Sequence, residues 1–274
     1  RSPGEFYQLD FEMSFATQED VFRAGEEVLT ATFEKFAPEG SQVTAAPYPV
    51  ISYKEAMLKY GTDKPDLRNP LEIVDVTDFF QRCTFEPFHG KTVRAVNVHQ
   101  QMSKKFHKKF EEFAKKIGMG GLGYLQVQDD MTYKGPIDKF IPDDMKQEIA
   151  DIAGLQAGDT IFFICDKEKQ AALFAGQIRT ELGNRLDLLE KNAYRFCFIN
   201  DFPMYEYDEK EKKIIFTHNP FSMPQGGLEA LNTMGPEEIL AYQYDIVCNG
   251  VELSSNTVRN HNLDIMVKAF EIAG

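Results

Sequence analysis

Residues 5–15 read Glu-Phe-Tyr-Gln-Leu-Asp-Phe-Glu-Met-Ser-Phe, with Tyr7, Leu9, Phe11, Met13 and Phe15 apolar and Gln8, Asp10, Glu12 and Ser14 polar. A period of two predicts a long strand with one face on a core. Apart from Ser14 the polar face is acidic or amide, which suits an ammonium group. After Thr17 the period lengthens: Val21, Val28, Leu29, Thr32, Phe33 and Phe36 predict an amphipathic helix over about residues 18–36, packed on the preceding strand. A loop from Pro38 to Pro49 leads to a short strand. Ser52-Tyr-Lys-Glu55 then reads as a capping box for a helix ending near Tyr60, with Gly61 as its stop. Gly61-Thr-Asp-Lys-Pro-Asp-Leu-Arg68 has no regular period, and Pro65 and Pro70 make it an extended loop.

From about Phe88 the pattern changes. Lys91 to His99 alternates as a strand, and Ser103 caps a helix with Phe106, Phe110 and Phe113 on one face. Its other face carries Lys104, Lys105, Lys108, Lys109, Lys115 and Lys116, a basic patch that can meet an RNA backbone or simply be solvated. Gly118-Met-Gly-Gly-Leu-Gly123 is glycine-rich but is not a nucleotide loop, because no strand feeds it and Tyr124 to Gln128 reads as a strand rather than a helix. A helix over about residues 143–153 stops at Gly154, the strand Thr160 to Cys165 follows, and a helix covers about residues 167–182. These elements predict an α+β module over residues 87–190, inserted between pieces of one antiparallel sheet at 1–86 and 191–274.

The second piece holds a buried strand at about residues 194–202, ending at Pro203, and another at about 211–217 that opens into His218-Asn-Pro-Phe-Ser222. A flexible Gln225-Gly-Gly227 loop and a helix from about Pro236 lead to Tyr244-Asp-Ile-Val-Cys-Asn-Gly-Val-Glu-Leu-Ser-Ser255. Asn249-Gly250 between two β-prone runs signals a two-residue hairpin turn. Tyr244, Ile246, Cys248, Val251 and Leu253 then share an apolar face expected in the core. Asp245, Val247, Glu252 and Ser254 share the other. Two carboxylates offset diagonally by about 7–8 Å can converge on one hard cation. Arg259 follows, a planar fork suited to a carboxylate. A last amphipathic helix carries Leu263, Met266, Ala269 and Phe270.

The net charge of −13 excludes wholesale electrostatic binding to nucleic acid, so any RNA contact must be local. Cys83, Cys165, Cys197 and Cys248 are scattered, without a CxxC pair, which argues against zinc or a disulfide framework and fits a reducing cytosol. No apolar run is long enough to span a membrane. The first residues, Arg-Ser-Pro-Gly, have no Met and read as a cut from a longer chain.

Five segments together resemble bacterial-type aspartyl-tRNA synthetases, a class II family: Arg1 to Asp10, Tyr60 to Arg68, Asn200-Asp-Phe-Pro203, His218-Asn-Pro-Phe221, and Tyr244 to Arg259. The wording Arg-Ser-Pro-Gly-Glu-Phe-Tyr-Gln-Leu-Asp is similar to the α-proteobacterial branch, many of whose members charge both tRNA(Asp) and tRNA(Asn). The resemblance implies an α+β class II antiparallel sheet flanked by helices, with the extra module that bacterial members carry between motifs 2 and 3. It implies activation of L-aspartate by ATP with Mg²⁺, transfer to tRNA, a cytoplasmic homodimer and no protein nucleophile. By resemblance, Arg259 grips the side-chain carboxylate of aspartate, Gln8 and Asp10 face its ammonium, His218 sits on a mobile loop above it, and Asp245 and Glu252 hold ATP and its Mg²⁺.

Three departures stand out: Ser254-Ser-Asn-Thr257 replaces a glycine-rich run, Ser2 replaces a glutamine, and Asn219 replaces a second histidine. By the resemblance, the chain is expected to begin inside motif 2 and end before motif 3, leaving out motif 1 and the anticodon-binding barrel. It is therefore expected to be inactive alone, within an active parent. The rival readings are a ligase for asparagine or lysine, and a non-catalytic tRNA-contacting or structural module centred on the insertion.

Overall fold

The computed structural model describes residues 4–274. Its helices are α1 (Gln18–Phe36), α2 (Tyr53–Lys59), α3 (Thr77–Arg82), α4 (Lys104–Lys116), α5 (Lys146–Ala153), α6 (Glu168–Arg185), α7 (Gly227–Thr233) and α8 (Leu263–Ala273). The chain divides into two compact units, one drawn from Arg1–Phe36, Pro203–Tyr244 and Ser255–Gly274, the other from Ala37–Phe202 and Asp245–Ser254. Helices and largely antiparallel sheets make the fold α+β, as the changing periods predict.

The larger unit contains a five-stranded sheet in the order Ile73–Asp75, Thr92–Val98, Thr160–Asp166, Gly123–Val127, Tyr133–Lys134, every pair antiparallel. Alternation sorts its side chains onto two faces. Val93, Ala95, Ile161 and Phe163 join Phe79 and Phe80 of α3 and Ile149 of α5 in one core. Val96, Val98, Phe162 and Ile164 join Phe110 of α4 and Ile178 of α6 in another. This sheet starts at Ile73, ahead of residue 87, and its first strand pairs Val74 with Ala95. The local signals read from the sequence hold here in part: Ser103 accepts from the Phe106 amide at 3.1 Å and Gly154 ends α5 in the left-handed region. Of the capping box only the Ser52 half forms, accepting from the Glu55 amide at 3.2 Å, and the Glu55 carboxylate pairs with Lys59 at 3.0 Å instead.

A four-stranded sheet runs Val251–Thr257, Gln243–Cys248, Phe196–Asn200, Val50–Ser52. Val50–Ser52 is parallel to Phe196–Asn200, which is antiparallel to Gln243–Cys248. Ile51, Cys197, Ile199 and Val247 share a face and pack on Ala56 of α2.

The smaller unit packs α7 and α8 on the hairpin Tyr205–Asp208/Lys213–Phe216. The Tyr205 hydroxyl donates to the Ala269 carbonyl at 2.9 Å, and Phe216 lies 5.0 Å from Phe270. α1 covers its sequence-predicted span, and Phe22 meets Tyr244 edge-on at 5.0 Å.

Four expectations need correction. Residues 5–15 form no strand, and Tyr7, Leu9 and Phe15 are exposed. Alternation sets a face, but a strand also needs a hydrogen-bonding neighbour, and none is paired with this segment among the described residues. For the same want of cover, Val28, Thr32 and Phe36 of α1 are exposed. The helix expected from Pro236 is one 3₁₀ turn, Pro236–Glu238. It stops because Ile239 is fully buried and its carbonyl accepts from the Met204 amide at 2.8 Å. Finally, Val251 and Leu253 are exposed rather than core, because their strand is the sheet edge while Gln243–Cys248 is buried along its whole length.

Candidate active site

In the larger unit the site is built on the hairpin. Asn249 and Gly250 both take positive φ (52° and 81°), the requirement of a two-residue primed turn. The Asn249 side chain accepts from the Arg195 amide and donates to the Ala193 carbonyl, both at 2.9 Å, which anchors the turn. With two turn residues, Glu252 stands opposite Val247 on the face that Asp245 shares. Asp245 pairs in register with Ile199 and is only 4% exposed. Glu252 lies near the surface, where Lys64 reaches it at 3.1 Å while also meeting Asp63 at 2.9 Å. Burial opposes the charge of Lys64, but Asp63 and Glu252 outweigh it and hold its pKa above the ordinary lysine value. Two residues on, Asp66 takes the Arg68 guanidinium on both oxygens, at 3.0 and 2.7 Å. The Gly61–Arg68 loop therefore lies against the turn of the hairpin, and a Cβ on Gly250 would touch the Asp66 side chain at 3.5 Å.

In the smaller unit, Arg259 is exposed and pairs with Glu12 at 3.6 Å, which puts the guanidinium beside the acid-and-amide row. Within that row the Gln8 amide donates to Asp10 at 2.6 Å. The backbone of Arg259 is bridged to Ser222, which is fully buried and 2.7 Å from the Thr257 hydroxyl. His218 is exposed in the loop that follows Lys213–Phe216. The next residue, Asn219, donates its amide to the buried Gln243 side chain at 3.4 Å and accepts from the Phe221 amide at 2.9 Å.

The tRNA synthetases class II (D, K and N) family profile matches residues 1–274. The chain belongs to this family. Among curated relatives it is 54% identical to an aspartate–tRNA(Asp/Asn) ligase of Ehrlichia canis over its whole length, covering 47% of that protein. It is 53% identical to the ligase of the same name from Zymomonas mobilis, with the same coverage, and 51% identical to that of Wolbachia pipientis, covering 46%. The chain thus spans about half the length of the curated relatives it matches.

Within this class II segment, the two departures that can be located have local explanations. Asn219 closes an Asx turn at the head of the His218 loop. In Ser254-Ser-Asn-Thr257, the Asn256 side chain donates to Tyr244 O at 3.5 Å and the Thr257 hydroxyl to Tyr242 O at 2.9 Å, so side chains tie the strand to its neighbour. Ser2 lies outside the described residues.

Asp245 and Glu252 are hard oxygen donors, fitting Mg²⁺ in kind. That ion commonly takes one or two carboxylates and completes its shell from phosphate and water. Among the described residues no three His, Cys, Asp or Glu gather as an all-protein metal site. The residue that sequence reasoning missed is Lys64. Its segment stood out, but nothing local says that one lysine of a mixed-charge loop meets a glutamate nearly two hundred positions away.

Proposed function

We propose that the chain is the central catalytic segment of an aspartate–tRNA ligase. In this reading the whole protein joins L-aspartate to ATP, forming aspartyl-adenylate and pyrophosphate, and passes the aspartyl group to a ribose hydroxyl at the 3′ end of tRNA(Asp) and of tRNA(Asn), with AMP as the leaving group. What carries the reading is similarity that runs through all 274 residues to ligases named for both tRNAs. The placement of Arg259 supports it, because its side chain is exposed and a carboxylate, that of Glu12, approaches its guanidinium to 3.6 Å.

In the reaction the aspartate α-carboxylate attacks the α-phosphorus, a new P–O bond forms, and pyrophosphate leaves with the electron pair of the bond that breaks. The chain supplies position and charge rather than a nucleophile. Arg259 clamps the substrate's side-chain carboxylate through its fork, Gln8 and Asp10 accept from its ammonium, and His218 closes over it. Asp245 and Glu252 would hold Mg²⁺, which when bound neutralises charge on the polyphosphate. Following the resemblance, we place the whole protein in the cytoplasm as a homodimer and the five-stranded sheet with its helices as the inserted module.

The test is aspartate-dependent exchange of pyrophosphate into ATP. The whole protein exchanges, and Arg259→Lys lowers kcat/KM for aspartate by about 100-fold, because a lysine cannot grip a carboxylate bidentately. The 274-residue chain alone gives no exchange above a blank. Exchange driven by asparagine or lysine instead of aspartate would overturn the assignment.

A further inference from the structure

Arg179, in the middle of α6, is only 2% exposed and ranks among the largest fully buried side chains. Its Nε donates to the Leu71 carbonyl at 2.5 Å, and one terminal nitrogen donates to the carbonyls of Asn69 at 2.7 Å and Asp66 at 3.1 Å. Its guanidinium lies over the Tyr60 ring, 4.9 Å from the centroid. Burying a cation is costly, and an apolar side chain would serve if α6 needed only packing. All three acceptors belong to one segment, residues 66–71. That segment answers in kind, with the Asn69 side chain donating to Arg179 O at 3.0 Å and accepting from the Leu71 amide at 3.1 Å.

The same helix meets the loop at its other end. A Cβ on Gly61 would come within 2.3 Å of the Ala172 carbonyl, and one on Gly176 within 2.7 Å of the Gly61 carbonyl. Between these two anchorages lies Lys64, whose partner is Glu252.

We propose that Arg179 is a positioning residue: from α6 it sets the course of residues 61–71 so that Lys64 is delivered to Glu252. Its consequence for catalysis rests on the reading of Glu252 as an ATP-site carboxylate; its effect on the loop does not.

Amide hydrogen exchange on the 274-residue chain tests the loop directly. Arg179→Met speeds exchange over residues 62–72 by about tenfold or more, while Thr92–Val98 and Thr160–Asp166 keep their rates. Lys64 becomes easier to acetylate than in the wild type. Arg179→Lys falls between, since an ammonium cannot span three carbonyls as the fork does. Unchanged rates over 62–72, or an equal rise in the five-stranded sheet, would overturn the proposal. If Arg179→Met fails to fold, Asn69→Ala, which removes the returning bonds, is read by the same criteria. In the whole protein, Arg179→Met raises the KM for ATP more than it lowers kcat; the opposite split overturns the reading of Glu252 as an ATP-site carboxylate, while the amide rates over 62–72 decide on Arg179. A wild-type protein without aspartate-dependent exchange would sink the ligase reading and leave the amide rates to decide on Arg179.

Discussion

The imidazole of His107 lies flat on Tyr124, ring centroids 3.7 Å apart, and both its nitrogens are buried without a hydrogen-bond partner among the described residues. Desolvation pushes its pKa below the ordinary histidine value, so the folded chain favours the neutral ring. A folded pKa below the unfolded one contributes stability that is present above about pH 6.5 and lost as pH falls through the folded value. Replacing the ring with an apolar one of similar shape removes both penalties. His107→Phe therefore raises unfolding free energy by about 1 kcal/mol at pH 7, and by more at pH 5, read as the urea midpoint at each pH. The phenylalanine stripe of α4 was legible because Phe106, Phe110 and Phe113 recur at helical spacing. His107, among them, was not singled out, because its role depends on Tyr124, which arrives from a strand beyond the following glycine loop. The same limit hid Lys64. That Asp245 and Glu252 share a face, by contrast, was legible, because a hairpin turn is a local event that fixes which residues share a face.

Turns and caps were the elements read most directly, since their chemistry lies within a few residues. Asn-Gly alone implies positive φ at both turn positions, and both have it. What the dipeptide does not reveal is that the Asn249 side chain also holds the backbone at Ala193 and Arg195. Asn249→Ala should therefore cost about 2 kcal/mol, combining left-handed strain with two unmet backbone groups, while Asn249→Gly removes the strain and costs about 1 kcal/mol. Denaturant unfolding of the two variants separates these contributions, and equal costs would mean that only the side-chain bonds matter. Elements went astray where a neighbour decides the outcome. Residues 5–15 alternate without becoming a strand. Pro236 starts one tight turn rather than a helix because Ile239 is drawn into a core and its carbonyl is taken by Met204.

Across the whole molecule, the four cysteines are free, with Cys83, Cys197 and Cys248 buried and Cys165 only partly so. Burial raises the three buried thiols to about 11, 12 and 11 respectively, far above the pH of a thiol assay. With an aromatic disulfide reagent at pH 8, Cys165 should react alone in the native chain and the other three only after denaturation. Mass mapping of early adducts to Cys197 would show that the core opens without denaturant. The sequence by itself determined the α+β character, the positions of most helices and strands, the caps, the Asn-Gly turn and the family. Each depends on spacing or conformational preference within one short stretch or on the order of such stretches. Only the tertiary structure decided which apolar faces are covered, which of Val247 and Val251 is core, and that an arginine on α6 would hold carbonyls 108 to 113 positions earlier. Burial and hydrogen-bond partnership belong to pairs of surfaces, and no local pattern names the second surface.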